Sequence, residues 1–415
     1  MIFETPCVSR NEMLQIFELF WKHRSRDSEP AILIGTYGHQ FAPEEIFAAL
    51  GLDSINLVLG GFEAWQTKGI DYLTPTACVY ARQMVGFFEE YTGIMETPQI
   101  EGRPKLSALV HTNFCSGDFH SAEIINKYFG LAMYPFPVPY KVTAGSFKLL
   151  VHSLKQLIGY LEKLAGVEYD PERLQAVLEQ SRELRSAHEA YSRLPLRGSQ
   201  KLEDFYEVLL APWDQKITIL KSFLDEHGAS SKNNSSSELN IVLTGSPVLI
   251  GDKFAGMLDA LDLPARFYDF HYADQRGFKK IPENADDLHV LKHEVDFSDP
   301  VQVLAAHYLE VLAPERMVAG QVDHLDRRIQ QVLDYSKFLP ENEKIDGVVA
   351  HVLKFCDVYG TDRTQFKTRL QDGHGIPVLD IERDYSTAAT GQISTRIDAF
   401  KEMLVNEQKK ADNFE

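Results

Sequence analysis

Residues 106–114 read LSALVHTNF and run straight into Cys115. Short apolar runs of this kind recur early in the chain, at 31–35 (AILIG) and 55–59 (INLVL), and flank helical segments. One helix is predicted to start near Pro43, where proline suits a first turn, and another covers 80–91, ahead of the 106–114 run. Strands alternating with amphipathic helices predict a parallel sheet covered on both faces. The alternation returns late, at 239–243 (LNIVL), 266–270 (RFYDF), 347–355 (GVVAHVLKF) and 376–381 (IPVLDI), before a closing helix over 392–404. Between the two blocks the apolar spacing changes to 3.6. Phe147, Leu150, Leu154, Leu157, Leu161 and Leu164 share one face of a long helix. Asp170-Pro171 reads as a cap and first turn, opening a helix whose stripe of Leu174, Leu178 and Leu184 continues to about Leu194. A third helical run, 217–227, leads into 228–237 (GASSKNNSSS), read as an exposed loop because it has no apolar surface to bury. The fold class expected is α/β: two parallel-sheet, Rossmann-like lobes joined by a helical segment. The divisions expected are an N-terminal α/β domain over 1–145, the helical segment and loop over 146–237, and a C-terminal α/β domain over 238–415.

Length and charge narrow the function. At about 150 residues per domain, 415 residues predict two or three domains. A chain 44% apolar and 25% charged is ordinary for a globular protein and needs no disulfide staples. The 60 acidic residues outnumber 42 basic ones, and a formal charge of −18 repels a polyanion, which argues against nucleic acid as a partner. A small anion stays open, since helix N-termini bind phosphate locally. No run of eighteen apolar residues and no N-terminal signal pattern is present, so no membrane partner and a cytoplasmic location are expected.

Four cysteines occur, Cys7, Cys78, Cys115 and Cys356. In a cytoplasmic chain they are expected to be reduced thiols, whether as buried filler, metal ligands or nucleophiles. Cys115 and Cys356 each end a strand-like run, the place where open parallel sheets bind ligands, and Cys78 sits at a turn directly before a helix. If the lobes face each other, the three sulfurs meet between them. Such a set suits zinc or an iron–sulfur cluster, while buried core cysteines are the plainer reading. Weaker candidates are His39 and Asn113. Arg276 and Arg396 are read either as clamps for a phosphate or carboxylate or as solvated surface groups. His289 and His293 have i, i+4 spacing without a third ligand, and the 245–251 segment fails the phosphate-loop template.

The stretch Phe355-Cys356-Asp357, with Gly375-Ile376-Pro377-Val378-Leu379, Glu382, Asp384-Tyr385, Gly391-Gln392, Thr395-Arg396 and Ala399-Phe400, resembles the C-terminal signature of the 2-hydroxyacyl-CoA dehydratase and benzoyl-CoA reductase family. Pro43-Glu44-Glu45-Ile46, Ala48-Ala49, Gly51 and Gly245-Ser246-Pro247 resemble it too, in the same order. The resemblance implies one 4Fe-4S cluster per chain, held by Cys78, Cys115 and Cys356, with Cys7 matching no family position. It implies a radical lyase that removes water from an (R)-2-hydroxyacyl-CoA through a ketyl radical. Its implied partners are an acyl-CoA thioester, a related second subunit or a second copy, and a separate ATP-hydrolysing activator that injects the electron. Glu45 is the candidate catalytic acid or base, and reads equally as a helix-start acid favoured by the dipole. The loop around it lacks the serine that the family pairs with a glutamate. Two further readings stay open: a benzoyl-CoA reductase-type subunit, and a non-catalytic subunit that relays electrons or supports a dimer.

Overall fold

The computed structural model describes residues 18–24, 32–37, 42–57, 60–95, 105–113, 115–230, 239–270, 280–312 and 324–412. Two four-stranded, wholly parallel sheets form its frame. In the N-terminal lobe β1 (Leu33–Tyr37), β2 (Asp53–Asn56), β3 (Ala108–Thr112) and β4 (Met133–Phe136) lie in the order β2-β1-β3-β4. In the C-terminal lobe β5 (Ile241–Gly245), β6 (Ala265–Asp269), β7 (Gly347–Leu353) and β8 (Val378–Arg383) lie in the order β6-β5-β7-β8. Both sheets thus reverse their direction of growth between the first and third strands, which are neighbours. Connections leaving those neighbours go to opposite faces and open a crevice at the strands' carboxyl ends. The central strands β3 and β7 are buried along their whole length, as residues sandwiched between two helix layers must be.

The helical segment is set by its caps and stripes. Thr143 accepts a hydrogen bond from the Ser146 amide to start the Ala144–Ala165 helix, and left-handed Gly166 ends it. Leu150, Leu154, Leu157 and Leu161 form its buried face. Asp170 caps the Pro171–Ser192 helix by accepting from the Glu172 amide. Helices Ser199–Leu210 and Trp213–Ser230 follow. The lobes are not separate bodies, because one apolar core joins Leu33, Phe88 and Leu109 to Leu243, Tyr268, Val349 and Ile381. A second joins Ile34 and Val110 to Leu150, Leu157, Leu304 and Tyr359. Glycines make close inter-lobe approach possible. A Cβ on Gly61 would lie 2.6 Å from the Asp252 amide nitrogen, and one on Gly251 would lie 2.4 Å from the Phe62 ring. The Gly60 amide donates to the Ile250 carbonyl across the same seam.

The structure departs from the sequence reading in several places. β2 begins at Asp53 rather than at Ile55: its polar start is fastened by Arg24, which holds the Asp53 carboxylate through Nε and Nη2. β4 is an additional strand whose apolar run is broken by Pro135; proline is tolerated there because β4 lies at the sheet edge. The Ser199–Leu210 helix and the helices between β6 and β7 are additional as well. The Trp213–Ser230 helix absorbs the first three residues of the 228–237 stretch, and the rest of that stretch lies outside the described residues. Cys7, His39 and Arg276 also lie outside them. His289 and His293 are exposed and not on a helix, which removes the i, i+4 geometry.

One buried ion pair yields a stability prediction. Arg328 Nη1 reaches Asp362 Oδ1 at 2.5 Å, His324 Nδ1 lies 3.1 Å from Oδ2, and the guanidinium stands over the Tyr359 and Phe366 rings. Burial works to raise the Asp362 carboxyl, but the His324 hydrogen bond and the Arg328 charge prevail and hold it below its usual range. A carboxylate depressed in the folded state contributes stability above the unfolded pKa and loses it as pH falls. Asp362→Asn is expected to lower the unfolding free energy by about 3 kcal/mol at pH 7, because Arg328 stays buried without its anion. In urea titrations the gap from wild type should close as the pH drops below about 4. A gap that persists unchanged at pH 3 would refute the account.

Candidate functional site

Three chain segments bring Cys78, Cys115 and Cys356 together at the carboxyl ends of the two sheets. Cys115 follows β3 and caps the Ser116–Phe129 helix, its Sγ accepting from the Asp118 amide at 3.4 Å. Cys356 follows β7 and precedes the short Asp357–Gly360 helix. Between strand and cysteine stands Phe355 with φ +63, a left-handed conformation that costs a bulky residue about 1–3 kcal/mol and turns the chain sharply. Cys78 precedes the Val79–Met95 helix. The segments are stitched to one another. The Val79 amide donates to the Lys354 carbonyl at 3.2 Å, and Ser116 Oγ donates to Asp357 Oδ2 at 3.1 Å. Gly117 lies so near that a Cβ there would sit 3.4 Å from Cys78 Cβ and 3.8 Å from Cys115 Sγ. All three cysteines are free and, taken as whole residues, partly exposed, while burial acts on each sulfur.

The thiols differ in character. Cys356 is lowered to about 7, first because it accepts the Cys78 S–H, and then through the Tyr359 and Val358 amides and the Ser246 hydroxyl, against the effect of burial. Cys78 is raised because its proton is engaged by Cys356 and because it is buried. Burial raises Cys115, and it raises the neighbouring Asp118 carboxyl to about 7. Burial lowers the nearby Arg82 guanidinium, and the charges of Asp384 and Cys78 oppose that lowering. Ser246, just past β5, holds this corner. Its amide donates to the His351 carbonyl at 2.8 Å, its Oγ accepts from the Leu353 amide at 2.9 Å, and its carbonyl lies 3.0 Å from His351 Nδ1.

This donor set is soft and comes from three separated segments. Among the described residues no three His, Cys, Asp or Glu side chains are arranged to grip a single metal ion. Soft thiolates of this kind suit zinc or an iron–sulfur cluster.

The other candidates sit elsewhere. Glu45 is buried in its own polar set: Ser181 Oγ donates to Oε1 at 2.9 Å, Tyr308 Oη to Oε2 at 3.1 Å, and Arg185 Nη2 lies 3.9 Å from Oε1. Asn113 is locked to the Val138 backbone. Arg396 bonds the Asp380 carbonyl and lines a groove with Gly375 and Pro377, before the start of β8, far along the strand from the thiols. Ser246 stands out in the sequence only as part of Gly245-Ser246-Pro247, which gives it no role. Two buried strand histidines, His111 and His351, are missed by the sequence reading altogether. The signal that could reveal them is a repeat, since each lies on a third strand and precedes a Phe-Cys pair, Phe114-Cys115 and Phe355-Cys356.

Known proteins are similar to this chain. A family model described as 2-hydroxyglutaryl-CoA dehydratase, D-component, matches residues 40–404. A protein of Escherichia coli (strain K12) named "Putative dehydratase subunit YjiM" is 44% identical over 64 residues, which span 15% of this chain and 17% of that protein.

Proposed function

Because the chain belongs to the 2-hydroxyglutaryl-CoA dehydratase D-component family, we propose that it is the iron–sulfur subunit of an (R)-2-hydroxyacyl-CoA dehydratase. The observation that carries this reading is the meeting of three free thiols from both lobes at the strands' carboxyl ends. Cys78, Cys115 and Cys356 would hold one 4Fe-4S cluster. When bound, such a cluster supplies one-electron chemistry and an iron whose fourth position no protein sulfur takes.

The chain's own residues prepare the place. The Val358 and Tyr359 amides and the Ser246 hydroxyl hold negative charge on Cys356. The Asp118 amide does the same for Cys115. The Ser116–Asp357 and Val79–Lys354 hydrogen bonds fix the lobes so that the sulfurs keep their spacing. The reaction removes hydroxyl from C2 and a proton from C3 of the thioester, giving an enoyl-CoA without net oxidation or reduction. An electron from an ATP-hydrolysing activator would therefore be recovered each cycle. A related second subunit, or a second copy of this chain, would complete the enzyme.

One observation favours a second reading, an electron-relaying subunit. Glu45, the candidate acid or base, has both carboxylate oxygens engaged by Ser181 and Tyr308. Protein purified and reconstituted without oxygen is expected to carry about four irons and about four sulfides per chain. Iron-free protein from such material would overturn the proposal. Incubation with partner, activator, ATP and a 2-hydroxyacyl-CoA should release water without net reduction, whereas reduction of an aromatic thioester would identify the reductase instead.

A further inference from the structure

A cleft of about 330 Å³ opens at the carboxyl ends of β3 and β4, within the ~300–1,000 Å³ range of small-ligand sites. His111, Asn113, Phe119, Tyr134, Phe136 and Ser153 line it, with the exposed Gln156. Its rim is preformed. Asn113 exchanges two hydrogen bonds with the Val138 backbone, and Tyr140 Oη donates to the Asn113 carbonyl at 2.8 Å. The Phe119 and Tyr140 rings are partly exposed beside it.

The cleft adjoins the thiol site through the backbone. His111 is bonded to the Asp118 backbone, and the Asp118 amide donates to Cys115 Sγ. Phe119 is the next residue of the same helix turn, its ring 6.0 Å from that of His111. The lining is aromatic and polar but uncharged. Burial lowers His111 to about 4, so its imidazole is neutral at physiological pH. A carboxylate placed there would lose water without gaining a cation, whereas a hydrocarbon chain or ring would gain apolar contact.

We propose that this cleft seats the acyl chain of the thioester and selects an uncharged chain, aliphatic or ring-bearing, over a dicarboxylic one. The assignment rests on the dehydratase-subunit reading and adds the substrate class to it. The wall chemistry decides the selectivity, because a pocket without a cation discriminates against a buried charge more strongly than against a change of one methylene.

Calorimetric titration of the reconstituted full chain with hexanoyl-CoA, 3-phenylpropanoyl-CoA, glutaryl-CoA and free CoA tests it. The two uncharged thioesters are expected to bind at least about tenfold tighter than glutaryl-CoA. Ser153→Leu, which fills the cleft, should remove about tenfold of that preference, and Gln156→Arg should raise affinity for glutaryl-CoA by a similar factor. Gln156 is exposed on its helix, so the second variant keeps the test if the first fails to fold. Equal or tighter binding of glutaryl-CoA, no binding of any thioester, or folded variants that leave the preference untouched would overturn the proposal. Iron assays on the same samples separate the failures. Iron-loaded protein without the preference refutes the cleft assignment alone, and iron-free protein that retains it refutes the cluster reading alone.

Discussion

Replacing Cys78, Cys115 or Cys356 singly with alanine is expected to abolish stable iron binding and to cut dehydratase turnover by more than about 100-fold, beyond the 10–100-fold typical of outer-shell partners. The reason lies in how the three sulfurs are supplied. Each comes from a different segment, after β3, after β7 and ahead of the Val79–Met95 helix, so no neighbouring residue can stand in for a missing one. Among the described residues no further cysteine adjoins them. Cys356→Ala should be the most damaging, because Cys356 is the thiol whose charged form is supported by two amides and the Ser246 hydroxyl, donors that stay in place when all three sulfurs are ionised. Cys7→Ser is the control and should retain full iron, since Cys7 matches no position of the proposed ligand set. Iron and sulfide analysis with melting curves provides the check: three single variants that all keep wild-type iron would dismiss the ligand assignment, and intact melting with lost iron would sustain it.

What can be seen in the sequence follows from what each element asks of its neighbours. Strands β3 and β7 are legible because a strand buried on both faces must be apolar throughout, and ALVHT and GVVAHVL nearly are. The places of Cys115 and Cys356 follow from those strands with no further information. β4 is not legible, because an edge strand with a proline carries no such demand. The Ser199–Leu210 helix starts at Gly198, which has no side chain to cap it, and its Ser199 amide is held instead by Asp259, 60 residues away, so its beginning has no local marker. Cys78 is a different case. Its turn before a helix is local, but its hydrogen bond to Cys356 depends on the lobes closing through Gly61 and Gly251, which are close-packed only in three dimensions. Glu45 shows the same limit from the other side. Its partners Ser181 and Tyr308 lie 136 and 263 residues away, so helix-start acid and catalytic acid look alike until those contacts are known. The parallel between the lobes, with equal strand order and a buried histidine ahead of each Phe-Cys pair, is faint in the sequence because only the strand-end residues repeat.

Gly245→Ala is expected to destabilise the protein by about 3 kcal/mol or more and to deplete its iron, although Gly245 is outside the proposed ligand set. Gly245 ends β5 opposite His351, with φ +112, outside the region that side chains adopt easily. A Cβ there would lie 2.1 Å from the His351 carbonyl oxygen, and since that atom is backbone of the central strand β7, no side chain can swing aside to relieve the clash. The carbonyl is also occupied, accepting from the Ser246 amide at 2.8 Å. Pushing β5 from β7 at this point would break that bond and draw Ser246 away from the Leu353 amide, which is buried and would lose its acceptor at a cost of about 1–3 kcal/mol. It would also remove the Ser246 hydroxyl from Cys356, so loss of fold stability and loss of the thiol's support share one cause. Gly159→Ala separates this from any general effect of replacing glycine. Gly159 lies within the Ala144–Ala165 helix, where an added methyl would meet nothing within 4 Å, and alanine there should stabilise by about 0.5–1 kcal/mol. Urea titration and iron analysis of the two variants side by side give the decision. If Gly245→Ala unfolds too readily to purify, Ser246→Ala retains the test, with a smaller stability loss, slower alkylation of Cys356 because its thiolate loses a supporting hydroxyl, and reduced iron retention. Wild-type iron and stability in both Gly245→Ala and Ser246→Ala would show that the β5–β7 crevice does not support the thiol site.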